Sequence, residues 1–236
     1  MDDRCIMLNV DNNNMKQKNY DLKVLAIANF QGYIDTEKKC RVIDKKEFLA
    51  NMKNVLKMTK YKCGIVIETL IELDIIKEEG NNYCLNPVTA PFLKLYAPTV
   101  KYLINNLSTF NFKLYCYLLN KYNINKAYDL IENYFFSKKE LLEICGYTRA
   151  QKNLLILEQG LNTLEELGLV SYNHQSVGRS GKHGTYHELY WVSDAANAQI
   201  TAAKETANYL KDKTIDLDIL DELTVLTDLK TLYTGV

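Results

Sequence analysis

An excess of charge of either sign is the first thing this sequence lacks. Lys+Arg and Asp+Glu both number 29 in 236 residues, so the net charge is zero. The chain as a whole therefore has no basic coat of the kind that marks a typical nucleic-acid binder. No apolar run approaches the ~20 residues of a membrane span. Met1 to Lys18 carries Asp2, Asp3 and an asparagine run at 12–14 but no apolar stretch, so it does not read as a secretory leader. The six cysteines, at 5, 40, 63, 84, 116 and 145, form no CxxC or CxH pair. Scattered thiols without a leader point to a reducing compartment, and the expected location is cytoplasmic. Proline (3) and glycine (10) are scarce beside 17 tyrosines in a chain rich in Lys, Asn and Ile, a usage that accompanies AT-rich coding.

Catalytic patterns are missing too. There is no nucleophile elbow, no HExxH and no dinucleotide fingerprint, and the expectation is a non-enzymatic protein without a cofactor. The segment Ser176 to His183 imitates a phosphate-binding loop. Ser176 holds the place of the first glycine, however, and His183 follows Lys182 where Ser or Thr is needed. All three histidines (174, 183, 187) fall in this region, but no cysteine or carboxylate joins them at ligand spacing, so no metal is expected. Paired acids such as Glu165-Glu166 and Glu78-Glu79 read as solvated faces.

With 47% hydrophobic and 25% charged residues, the chain has an ordinary globular composition and length for two small cores. Its main internal feature is a repeat. Asp44-Lys45-Lys46-Glu47-Phe48-Leu49 matches Ser137-Lys138-Lys139-Glu140-Leu141-Leu142, each with a cap residue three positions before a Glu. After near-equal intervals come Leu70-Ile71-Glu72-Leu73-Asp74-Ile75-Ile76 and Leu164-Glu165-Glu166-Leu167-Gly168-Leu169-Val170. Two copies of one supersecondary unit are implied.

Each copy reads as a capped short helix, a second cap (Thr59, Thr148) and a longer helix. Apolar stripes run through Val66, Leu70 and Leu73, and through 154, 157, 161, 164 and 167. Asp74 and Gly168 fall at left-handed helix ends. A short strand, a polar turn (Glu79 to Asn82; Ser176 to Gly184) and a return strand (Tyr83 to Leu85; Tyr186 to Val192) complete each copy. A preceding helix (Leu22, Leu25, Ile27, Phe30; Leu114, Tyr117, Leu118, Tyr122) and a strand (Val42-Ile43; Tyr134 to Phe136) stand before each cap.

Both copies resemble winged helix-turn-helix domains. The phrase LEELGLVSYN from Leu164, followed by a Gly- and Lys-bearing turn, is similar to endings in bacterial regulators and in low-GC plasmid and phage replication proteins. The expected fold is mainly α with small β-hairpin wings. It divides into a loosely ordered stretch (1–19), winged-helix domain 1 (20–93), a linker helix (94–107), winged-helix domain 2 (108–194) and an acidic helical tail (195–236). What the resemblance implies is double-stranded-DNA binding in plasmid or phage replication initiation. The alternatives are a transcriptional regulator of a mobile element, and a protein-docking module that does not bind DNA.

In a helix-turn-helix the first residues of the second helix meet base edges in the major groove. The candidates in copy one are Lys57, Thr59, Lys60, Tyr61 and Lys62; residues 48–67 hold four lysines and no acid. In copy two they are Thr148, Arg149, Gln151, Lys152 and Asn153. Arg and Lys suit guanine, Asn and Gln suit adenine. The second hairpin adds His174, Arg179, Lys182 and His183 as contacts to phosphate or minor groove. The competing reading of each set is a solvated helix start or a bare hairpin tip. Residues 195–236 carry 4 basic and 7 acidic groups, which offsets a mildly basic body. In that tail an Ala-rich helix (Ile200, Ala203, Ala207, Leu210) is followed by leucines at 217, 220, 223, 226, 229 and 232. It reads either as self-packing or as a surface for self-association or for a replication or regulatory partner.

Overall fold

Buried and half-exposed positions alternate from Cys5 onward in the computed structural model, which describes residues 5–88 and 91–193. Ile6, Leu8 and Val10 are buried while Cys5, Met7 and Asn9 are not, the period-2 signature of a strand with one face on a core. This strand, β1 (Cys5–Asn9), is followed by a one-turn helix, α1 (Asn12–Met15), capped by Asp11. The expectation of loose order over 1–19 therefore fails for residues 5–18. An apolar face with a pairing partner is enough to order them.

Copy one follows in the order helix α2 (Leu22–Gln31), strands β2 (Tyr33–Asp35) and β3 (Cys40–Asp44), helices α3 (Lys45–Asn54) and α4 (Lys60–Glu72), then strands β4 (Ile76–Glu79) and β5 (Asn82–Leu85). Asp44 caps α3 through Glu47 N at 2.9 Å, and Thr59 caps α4 through Lys62 N at 3.2 Å. Asp74, at φ 53°, takes the left-handed position after α4. The sheet is antiparallel in the order β2-β3-β5-β4, with Val42 opposite Cys84 and Glu79 opposite Asn82 across a two-residue Gly80-Asn81 turn. β2 was not foreseen; its Tyr33 and Ile34 stay largely exposed.

The expected linker helix over 94–107 is also corrected. Phe92–Tyr96 forms β6, paired antiparallel to β1 with Leu8 opposite Leu93. Only Ala97–Asn106 is helical (α5), with Pro98 in its first turn, where a missing N–H costs nothing.

Copy two repeats the pattern with α6 (Thr109–Tyr128), a 3₁₀ turn (Ile131–Tyr134), β7 (Phe135–Phe136), α7 (Lys138–Ile144), α8 (Gln151–Glu166), β8 (Val170–Tyr172), β9 (Val177–Arg179) and β10 (Lys182–Val192). The reciprocal capping box closes at Ser137 and Glu140. At Asp44 only the cap half is present, where Asp44 is already in register with Asn82 in the ladder. β10 lies between β7 and β8, the same relation β5 has to β3 and β4. The segment 176–184 is not one open turn. β9 and β10 extend through it and leave Ser180-Gly181 as a two-residue turn, with Gly181 at φ 73°. Among the described residues helix accounts for about 50% and strand for 24%, all in small antiparallel sheets, so the architecture is mixed rather than mainly α.

The correspondence of the two copies extends to burial. Cys63, Val66, Ile67 and Leu70 of α4 are buried, and so are Leu157, Gly160, Leu161 and Leu164 of α8, each 94 positions later. The residues just before them, Tyr61-Lys62 and Leu155-Ile156, are exposed in both.

The copies share one core. Leu8, Val24, Phe48 and Leu70 belong to the same buried cluster as Leu118, Leu141, Leu161 and Leu189, and the described residues form one compact unit. Two buried lysines tie the elements across it. Lys23 of α2 donates to the carbonyls of Ile104 (2.7 Å) and Leu107, which close the end of α5. Lys113 of α6 donates to Gln17 O at 3.0 Å. The expected helices and partner surface of residues 195–236 lie outside the described residues.

Candidate nucleic-acid interface

The start of α4 brings cations to a place that does not favour them. A helix N-terminus carries partial positive charge, and acids there stabilise while lysines do not. The first turn of α4 nevertheless has Lys60 and Lys62 and no acid. Lys60, Tyr61 and Lys62 are all exposed, Tyr61 at 79%. Lys57, also exposed, sits just before them in the left-handed region at φ 54°, so the turn into α4 holds a strained non-glycine residue. Neither Lys57, Lys60 nor Lys62 enters an ion pair among the described residues. Beside them an open depression of about 490 Å³ is lined by Lys60, Tyr61, Gly64, Ile65 and Glu68. Thr59 belongs to this group by position, but its hydroxyl caps the helix.

The start of α8 is built differently. Ala150, not Thr148, is the N-cap residue, and it has no side chain to offer. Asn153 supplies a substitute bracing of the turn: its Nδ2 donates to Thr148 O at 2.8 Å and to Thr148 Oγ1 at 3.1 Å, and the residue is buried. Asn153 is therefore turned inward, against its expected use as a base contact. Gln151 and Lys152 are exposed. Arg149 is exposed as well but donates to Glu143 at 3.3 Å. Further along the outward face come Leu155 and Ile156, which sequence reading missed. The signal was available in their falling outside the 154-157-161-164 stripe.

The second hairpin spends much of its charge internally. The Arg179 guanidinium lies 4.4 Å from the Phe135 ring centroid and 5.8 Å from that of Tyr186, within cation–π range of both rings. Lys182 pairs with Glu132 at 3.0 Å and holds that carboxyl below the usual range. His174 stacks on Tyr172 at 4.5 Å and reaches Glu165 at 3.1 Å. His183 is exposed near the tip. The third histidine, His187, is buried, stacked on Phe136 and bonded to Asn173 O at 2.9 Å. The shorter hairpin of copy one is acidic: Glu78 and Glu79 on β4 pair with Lys45 and Lys38.

No group of three or more potential metal ligands occurs among the described residues. The six cysteines form no disulfide, and burial pushes the Cys84 and Cys145 thiols up to about 12. No helix among the described residues is long and apolar enough to cross a membrane. The chain matches no protein-family model, no curated protein and no solved structure.

Proposed function

We propose that this chain binds double-stranded DNA through two winged-helix units in tandem and acts in replication initiation of a plasmid or phage. The observation that carries the reading is the recurrence of one unit. In both copies a strand between the first and second helices joins the last strand, which also pairs with the strand after the third helix. That strand order supports the winged-helix reading. In both copies the start of the third helix is exposed and cationic, at Lys60 and Lys62 and at Lys152. A covalent tandem of this kind acts as a built-in pseudo-dimer over two successive major grooves. The resemblance of KLYCYLL (113–119) and GRSGKHGTYHELYWV (178–192) to low-GC initiators supports replication over transcriptional control.

A partner-docking module is the second reading. The neutral total charge favours it, as does the internal pairing of Arg149 and Lys182. Fluorescence anisotropy on mixed duplex DNA at ~50 and ~200 mM salt separates the two. Tight, salt-sensitive binding lost in a K60A/K62A/R149A/K152A variant supports the DNA reader, and absence of binding at the lower salt supports the docking module. A plasmid carrying the gene's flanking DNA then tests the role. Replication that depends on the protein identifies an initiator; altered reporter expression alone identifies a regulator.

A further inference from the structure

The two third helices are equivalent in burial and different in outward chemistry. Residue for residue, the exposed pair Tyr61-Lys62 of α4 corresponds to Leu155-Ile156 of α8, and both pairs are followed by a buried residue, Cys63 or Leu157. Leu155 is 53% exposed and Ile156 40%. Two adjacent branched aliphatic side chains held in water are unfavourable, and α8 buries Leu157, Leu161 and Leu164 completely and Leu154 in part. Their surroundings suit a polyanion. Gln151, Lys152 and Gln159 are exposed on the same stretch of helix, no carboxylate occurs from 151 to 157, and Glu158 is neutralised by Lys138 at 2.6 Å.

We infer that Leu155 and Ile156 are specificity-determining residues that pack on thymine C5-methyl groups in the major groove, so that copy two reads a thymine-containing step while copy one reads through Tyr61 and the lysines. The inference rests on the DNA-binding reading proposed above. The thymine methyl is the apolar group that a base edge presents in the major groove, and an aliphatic side chain is its natural contact. Lys152 lies one turn before Ile156, where it supplies the phosphate contact that fixes register, and the amides of Gln151 and Gln159 add hydrogen-bonding capacity to the same face. The two copies then require unlike half-sites, which fixes the direction in which the tandem lies on DNA.

The test uses the full chain. A duplex is first selected from a randomised library at ~50 mM salt. Binding is then compared with the same duplex in which thymine is replaced by deoxyuridine, one half-site at a time, which removes only the methyl. Affinity is expected to fall about fourfold per contacted methyl in one half-site. L155A/I156A is expected to bind the thymine duplex more weakly and to lose the difference between thymine and uracil, whereas K60A/K62A keeps it. Selection of no preferred sequence, or equal binding of the two duplexes by the wild type with salt-sensitive affinity intact, overturns the inference and leaves the DNA reading standing. Absence of any duplex binding removes both. A change in sedimentation mass of L155A/I156A with unchanged DNA affinity identifies the face as a protein interface and overturns the inference. The deoxyuridine comparison on the wild type remains decisive if the double variant does not fold.

Discussion

Asn153 donates from its side-chain amide to both the carbonyl and the hydroxyl oxygen of Thr148, at 2.8 and 3.1 Å. The turn between α7 and α8 is thereby closed from inside the helix rather than from its N-cap position, which Ala150 occupies without a capping group. Asn153→Ala removes both bonds and leaves the Thr148 carbonyl without that donor. A loss of about 1–2 kcal/mol of stability is expected, read as a lower urea midpoint at unchanged slope. DNA affinity below the transition should stay within twofold. Lys152→Ala should behave in the opposite way, with stability unchanged and affinity reduced. A large affinity loss in N153A at full folding would return Asn153 to the interface.

The contrast at this turn shows where sequence reading reached its limit. A cap followed three residues later by Glu is local chemistry, so both copies, their helices and their left-handed ends at Asp74 and Gly168 were legible. The direction of a side chain at a helix start is decided by tertiary surroundings, which is why Asn153, expected to face outward, is turned inward while Lys60 and Lys62 are exposed. β1 and β6 were missed for a related reason. Cys5-Ile6-Met7-Leu8 is apolar on both faces, so its period-2 burial leaves no trace in polarity. Phe92-Leu93-Lys94-Leu95-Tyr96 does alternate, yet its partner lies more than eighty residues away. The internal ion pairs Arg149–Glu143 and Lys182–Glu132 also depend on approach between elements, and a count of charges along the chain does not reveal them.

Gly64 and Gly160 stand inside helices that correspond to one another, but their surroundings differ. A Cβ at Gly64 would have nothing within 4 Å, whereas one at Gly160 would stand 2.8 Å from Asn111 Oδ1 and 2.9 Å from Phe110 Cε1. Gly64→Ala is therefore expected to stabilise by about 0.5–1 kcal/mol through helix propensity alone. Gly160→Ala should destabilise by about 1–3 kcal/mol, because the Asn111 side chain and the Phe110 ring of α6 must be pushed aside. Paired chemical denaturation reads both. Equal effects of the same sign would show that the close approach of these helices yields freely.

Lys113 is a buried cation with an ordinary hydrogen-bond partner, and burial lowers its pKa to about 8. In the unfolded chain the ordinary lysine value of 10.5 applies, so the folded state releases its proton first. Below pH 8 both states are protonated and the fold bears the cost of the buried charge. Between pH 8 and 10.5 the unfolded chain binds more protons, so this residue's contribution to stability rises with pH. Lys113→Met should accordingly be more stable than the wild type at pH 7, with the gap closing by about 2–3 kcal/mol on approach to pH 10. Thiols remote from Lys113 with raised pKa values, such as Cys84, pull stability down above pH 9 in both proteins and cancel in the difference, whereas Cys145, which the Lys113 charge holds down, is pushed further up in the variant. A gap independent of pH would mean that Lys113 is solvated in the folded state.

Glu132 and Glu143 restrain the charge of the second copy. Each bonds a cation that the DNA reading would place against phosphate: Lys182 at 3.0 Å and Arg149 at 3.3 Å. All four side chains are substantially exposed, so solvent screens each pair, its contribution to stability is small, and breaking it should leave the fold intact. Glu132→Gln keeps the shape and frees the Lys182 ammonium, and Glu143→Gln does the same for Arg149. Both variants are expected to bind duplex DNA several-fold more tightly at ~50 mM salt, with a steeper dependence of log affinity on log salt, by up to about 0.9 for each phosphate newly engaged. Lys60→Ala and Lys62→Ala should change the slope in the opposite sense, because those ammonium groups enter no ion pair among the described residues to begin with. Unchanged slopes in the glutamine variants, alongside flattened ones in K60A and K62A, would confine the DNA contact to the first copy.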